Sequence, residues 1–222
     1  PTTPHCGPRG PGDRQLNTPS GIAFDSKEHC YVADTFNNRV QKFTANGRFL
    51  TVLGTQALNL PWGVTADSHD NVYVADWGND RIQKFSPEGQ HLAEFGASGD
   101  SDGQFRRPSS VAVDRDGYIY VADWGNERVQ VFDPEDGFVT NVRGEATLSK
   151  WAENFLKING EEADARSRAN LEPDIDFDPD DPHEESSHIE KLFWSPMSVK
   201  LDSSGKLYVT ESNRHRIQIF QT

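Results

Sequence analysis

The 222-residue sequence predicts an all-β fold, a β-propeller of four-stranded antiparallel blades with a helical insertion. Three observations carry this. Two near-identical stretches, VYVADWGNDRIQKF at 72–85 and IYVADWGNERVQVF at 119–132, stand 47 residues apart. Short apolar–polar alternations recur between turn-forming clusters, as half-buried strands of an antiparallel sheet require. The unit length of 42 to 47 residues, with four strands in a full unit, is that of one propeller blade.

The strands follow in order. The first of each unit opens on a proline and closes on an aspartate: PSGIAFD at 19–25, PWGVTAD at 61–67, PSSVAVD at 108–114 and PMSVKLD at 196–202. A polar turn follows each time, SKEH, SHDN, RDG or SSGK. The second strand reads Tyr-Val-Ala-Asp at 31–34, 73–76 and 120–123, and Tyr-Val-Thr-Glu at 208–211. A short connection leads to the third, VQKF at 40–43, IQKF at 82–85, VQVF at 129–132 and IQIF at 217–220. Three units add a fourth strand, at 49–53, 91–95 and 138–142; the last unit shows none.

The combined pattern, Pro-x-Gly-[IV]-x-x-Asp, Tyr-Val-Ala-Asp and Asn-x-Arg-[VI]-Gln-x-Phe, resembles the NHL-repeat family of β-propellers. The resemblance implies a ring that usually has six blades, so the four units are expected to form part of one. The missing blades would come from a longer chain, a second copy or another protein. Gly12–Leu16 aligns with Gly99–Phe105, a loop that follows a preceding blade. Residues 1–18 are therefore expected as an entry loop, 19–143 as three blades, 144–194 as the insertion, and 195–222 as a fourth unit without its outer strand. The opening PTTPHCGPRGPG is neither a signal peptide nor an initiator methionine, so the chain reads as processed or cut.

Within the insertion, Leu148, Trp151, Phe155, Leu156 and Ile158 recur at helical spacing, and Asn159–Gly160 reads as a stop. Asp181–Pro182 supplies an N-cap followed by proline at the first helical position, with Ile189, Leu192 and Phe193 as an apolar face. The insertion holds 14 acidic and 5 basic residues, most of a net charge of −13. That balance argues against a nucleic-acid partner, which needs Lys and Arg to neutralise phosphates. No apolar run approaches the roughly 18–20 residues of a membrane span. Cys6 and Cys30 make neither a disulfide framework nor a zinc site; one bridge and two thiols both fit.

A carboxylate recurs at Asp34, Asp76, Asp123 and Glu211, and an arginine at Arg39, Arg81, Arg128 and Arg216. Catalytic groups differ between blades whereas scaffolding groups repeat, so these pairs are expected to fix one turn per unit. Alternating Asp174, Asp176 and Asp178, with Glu185, superficially mimic a calcium loop. Its sixth position is Pro179, which cannot make the sharp turn, so a solvated acidic segment burying Ile175 and Phe177 is the leading expectation, with calcium at these carboxylates as the alternative and no other cofactor expected. His183 and His188 are five apart and cannot form a helical zinc pair. Phe36, Trp62, Trp77, Trp124 and Trp194 are expected on one face, either as a partner contact or as packing between blades. The leading expectation is a non-enzymatic, protein-binding scaffold or subunit. The alternatives are a metal-dependent hydrolase or lyase resembling the gluconolactonase-like propellers and, last, an RNA-binding NHL domain.

Overall fold

A computed structural model describes residues 8–148, 150–178 and 181–221. Blade one consists of β1 (Pro19–Phe24), β2 (Cys30–Asp34), β3 (Arg39–Phe43) and β4 (Phe49–Leu53). Blade two consists of β5 (Pro61–Ala66), β6 (Val72–Asp76), β7 (Arg81–Phe85) and β8 (His91–Phe95). Blade three holds β9 (Pro108–Val113), β10 (Ile119–Asp123), β11 (Arg128–Phe132) and β12 (Phe138–Val142). Blade four has three strands among the described residues, β13 (Pro196–Leu201), β14 (Lys206–Glu211) and β15 (Arg216–Gln221). In each sheet consecutive strands pair antiparallel.

Local chemistry sets each turn. The aspartate ending the first strand folds its carboxylate back onto the turn: Asp67 Oδ1 accepts the N–H groups of His69 and Asn71, both at 2.9 Å. Asp114 does the same for Asp116 and Tyr118, and Asp202 for Ser204 and Lys206. At Asp25 burial pushes the carboxyl up, but hydrogen bonds from His29, Lys42 and Lys27 outweigh it and hold the pKa at about 2. Between second and third strands of blades one to three the chain makes a single 3-10 turn and leaves it through a left-handed residue, Asn38, Asp80 or Glu127.

The first strands lie side by side, β1 against β5, β5 against β9, and β9 against β13. Their approach is close. A Cβ on Gly63 would stand 2.7 Å from Ser110 Cα and 2.8 Å from Ser109 O, so only glycine fits there. One apolar cluster fills each junction. Val40 and Leu53 of blade one meet Val64 and Phe85 of blade two. Ile82 meets Val111 and Phe132, and Val129 meets Val199 and Phe193. The period-2 pattern of each strand thus supplies two apolar faces, one for each neighbour.

The insertion carries α1 (Lys150–Ile158), α2 (Gly160–Arg168) and α3 (Pro182–His188). Helix α1 stops before Asn159–Gly160 as expected, but the chain enters a second helix there at once, α2, with the N–H of Ala163 donating to Asn159 O. That helix was illegible because GEEADARSR has no apolar stripe. The expected apolar face of α3 is corrected: the helix ends at His188, and Ile189, Leu192 and Phe193 lie beyond it; Phe193 is instead a buried core residue of the junction between blades three and four. The cap itself is as expected, Asp181 accepting from the N–H of His183 and Glu184 with Pro182 opening the helix.

Candidate functional site

The repeated carboxylates form one network per blade. Asp76, fully buried, accepts from the backbone N–H of Asn59 at 2.7 Å, from Asn79 at 2.8 Å, from Arg81 Nε at 3.1 Å and from Gln83 at 2.6 Å. Asp34 and Asp123 repeat this with Arg39 and Arg128 at 2.8 and 2.9 Å. In blade four Glu211 takes the N–H of Trp194 and pairs with Arg216 at 2.5 Å. The second nitrogen of each arginine reaches carbonyls of the entry loop, as Arg128 Nη2 does to Ser101 O and Gln104 O. Each network therefore ties the turn after the second strand to the loop that begins its own blade. The loop entering blade one has the form of that entering blade three, with Gly10 N–H donating to Leu16 O as Gly99 N–H does to Phe105 O.

The aromatic residues separate into a row and two outliers. Trp62 stacks on Trp77 with ring centroids 5.0 Å apart, and Trp77 meets Trp124 at 5.1 Å. Trp124 then meets His183 of α3 edge to face at 5.3 Å. Phe36 stays exposed on blade one, and Trp194 pairs with the guanidinium of Arg214 at 5.5 Å. The row thus runs across two blades and onto the insertion.

The insertion is held there by charge and hydrogen bonds. His183 Nδ1 contacts the buried carboxylate of Glu127, and Glu185 pairs with Arg143 at 2.6 Å. Arg214 Nη2 donates to the carbonyls of Ser186 at 2.6 Å and Ile189 at 3.0 Å, at the C-terminal end of α3, where a cation also suits the helix dipole. Burial pushes Glu127 up to about 8, with the nearby Glu211 and Asp181 adding to the rise. Between α3 and blade three lies a half-open cavity of about 570 Å³, lined by Arg106, Asn126, Arg143, Phe177, Asp181 and Glu185 among others.

Asp174 and Asp176 point to solvent, and Glu185, the last residue of the calcium-like set, faces Arg143; Asp178 donates its N–H to Glu184. Among the described residues no three carboxylates, histidines or cysteines gather around one point. Pro179 and Cys6 lie outside the described residues. Ile175 is exposed, contrary to expectation, while Phe177 is partly buried with its ring 5.6 Å from that of His188.

Sequence reasoning missed Glu127 and its equivalents. The left-handed residue leaving each turn carries an acceptor that reaches the next blade: Asn38 takes the N–H of Leu60 at 2.8 Å, Asp80 that of Arg107 at 2.6 Å, and Glu127 that of Ser195 at 2.5 Å. The signal was present, since 38, 80 and 127 all hold Asn, Asp or Glu, but nothing in the spacing says that they face a different repeat.

Comparison with known proteins agrees with this architecture. The NHL repeat model matches residues 105–132 and 193–220, and the SMP-30/gluconolactonase/LRE-like region model matches residues 12–99. No curated protein is significantly similar to the chain. Among solved structures it is similar to a nidogen/laminin complex, with 17% identity over 93% of this chain and 60% of that one, at a TM-score of 0.59. It is similar to a catalytically inactive virginiamycin B lyase from Staphylococcus aureus with quinupristin, at 12% identity, 94% and 58% coverage and a TM-score of 0.54. Hydrazine synthase of Kuenenia stuttgartiensis matches at 12% identity, 93% and 46% coverage and a TM-score of 0.59. At such identities the likeness is one of fold. The chain spans about half the length of the solved chains it matches. The chain thus carries NHL repeats at 105–132 and 193–220 beside an SMP-30/gluconolactonase/LRE-like region at 12–99, and its repeated antiparallel sheets are consistent with an NHL-repeat β-propeller family.

Proposed function

We propose that the chain is a non-enzymatic propeller scaffold, which binds a protein partner through its aromatic face and the insertion beside it. One observation carries the reading: the row Trp62, Trp77, Trp124 ends on His183, so propeller and insertion present one continuous surface. Half-buried tryptophans flanked by Arg107 and Arg214 have the composition of a binding hot spot, where large rings and guanidinium groups contribute most of the affinity. The repeating carboxylate networks serve the turns, which leaves them no free acid for chemistry. In this reading further blades, from a longer chain, a second copy or another protein, complete the ring.

The experiment is a native mass spectrum of the protein as isolated from its source, followed by affinity measurement on the Trp77→Ala/Trp124→Ala double variant. Loss of partner binding with the fold intact by circular dichroism is expected. Unchanged affinity in a folded double variant would remove the aromatic face from the proposal. A single chain with one stoichiometric divalent ion would favour the metal-dependent enzyme instead.

A further inference from the structure

We infer that the cavity between α3 and blade three is a ligand site, and that it takes a small zwitterion, of which a free α-amino acid is the simplest. This goes beyond the scaffold reading and does not depend on it.

The repeat shows what blade three has changed. The entry-loop residue whose N–H reaches the network carboxylate is Asn17 in blade one, Asn59 in blade two and Arg106 in blade three. The residue after the fourth strand is Gly54, Gly96 and Arg143 in the same order. The arginine of the turn is kept throughout, as Arg39, Arg81 and Arg128. Of these three positions, blades one and two fill a single one with arginine and blade three fills all, and Arg106, Arg128 and Arg143 line the cavity together. Recurring groups serve the scaffold; this set does not recur.

Part of its charge is already engaged. Arg143 pairs with Glu185 at 2.6 Å, which holds α3 over the cavity. Arg128 gives Nε to Asp123 and Nη2 to Ser101 O and Gln104 O, but its Nη1 has no acceptor among the described residues. In blade two the matching atom, Arg81 Nη1, pairs with Glu94 at 2.7 Å. Glu94 stands opposite Gln83, and the residue opposite Gln130 is Asn141, which carries no charge. The Arg106 side chain is exposed and meets no carboxylate among the described residues. Arg106 and Arg128 Nη1 therefore offer donors to an anionic group, and the planar guanidinium suits a carboxylate.

The same wall calls for a hydrogen-bond donor. Asn126 is 5% exposed; its Nδ2 donates to Gly99 O at 2.9 Å and to Asp123 at 2.8 Å, while its Oδ1 has no partner. A buried amide oxygen left so costs free energy, which a ligand N–H recovers. Carboxylates line the cavity as well, so a plain anion is disfavoured. Glu185 is paired and Asp181 caps α3, but Asp100 and Asp178 are exposed, and with the partly buried ring of Phe177 they suit a cation. A carboxylate for the arginines and an ammonium for Asn126 Oδ1 and the acids meet both demands, and an α-amino acid carries the two on one carbon. The volume of about 570 Å³ is that of a small-molecule site.

The test is isothermal titration of the purified protein with each standard L-amino acid, then with the 2-hydroxy acid analogue of whichever binds best. One-to-one binding of at least one amino acid is expected, with the hydroxy acid, which lacks the ammonium, about tenfold weaker. Asn141→Glu gives Arg128 the partner that Arg81 has, and Arg106→Asn installs the residue of blade two. Both change exposed residues and should leave the fold intact by circular dichroism. Each should weaken binding about tenfold, as loss of one charge-assisted hydrogen bond implies. No binding by any amino acid, equal binding of the hydroxy acid, or unchanged affinity in both folded variants each overturns the inference. The scaffold reading fails separately, through unchanged partner affinity in the tryptophan variant.

Discussion

Glu127 and Ser195, 68 positions apart, are joined by a 2.5 Å hydrogen bond from the Ser195 N–H to the Glu127 carboxylate. The other carboxylate oxygen meets His183, so one buried side chain fastens blade three to blade four and the insertion to both. Among the described residues no other junction combines these two attachments.

That arrangement makes stability depend on pH in a stated direction. Burial raises Glu127 to about 8 from 4.5, so the folded state binds a proton that the unfolded chain releases between those values. Stability from this group is complete below about pH 4.5 and is lost as pH rises toward 8. Urea unfolding at pH 5 and pH 8 should show the protein weaker at pH 8 by about 1–3 kcal/mol, a discounted fraction of the full linkage. Glu127→Gln keeps an acceptor for Ser195 and should flatten the difference. An equal pH dependence in that variant would assign the effect to other groups.

The carboxylate networks predict a large, local cost. Asp76→Ala leaves Gln83 and the Arg81 guanidinium without their buried acceptor and should destabilise by about 3–5 kcal/mol. Asp174→Ala, at an exposed carboxylate, should stay within about 0.5 kcal/mol. Comparable losses at both sites by chemical denaturation would refute the turn-fixing role.

Two glycines should behave oppositely. Gly63→Ala drives a Cβ into the Ser109–Ser110 backbone of the next blade, and a shift of that strand costs about 1–3 kcal/mol or more. Gly160→Ala has open space around it at the start of α2 and should be neutral or stabilising by up to about 1 kcal/mol. Thermal melts of the two single variants separate the cases.

The strands were legible in the sequence to within a residue or so because each repeats a period-2 pattern closed by turn chemistry. The fourth strands at 49–53, 91–95 and 138–142 coincide with β4, β8 and β12. The α3 cap was legible for a similar reason, since Asp–Pro acts on its own next turn. Helix α2 was not, because a polar helix carries no periodic mark and is held by its neighbours.

The sequence by itself determined the blade, since strand alternation, proline starts and aspartate turns all act over a few residues. It also determined that Asp76 and Arg81 would share a turn, five positions apart. Only the tertiary structure decided what lies across a junction: that Asp80 reaches Arg107, that Trp77 meets Trp124, and that His183 closes on Glu127. Those contacts join different repeats, and their partners are chosen by how sheets stack rather than by spacing along the chain.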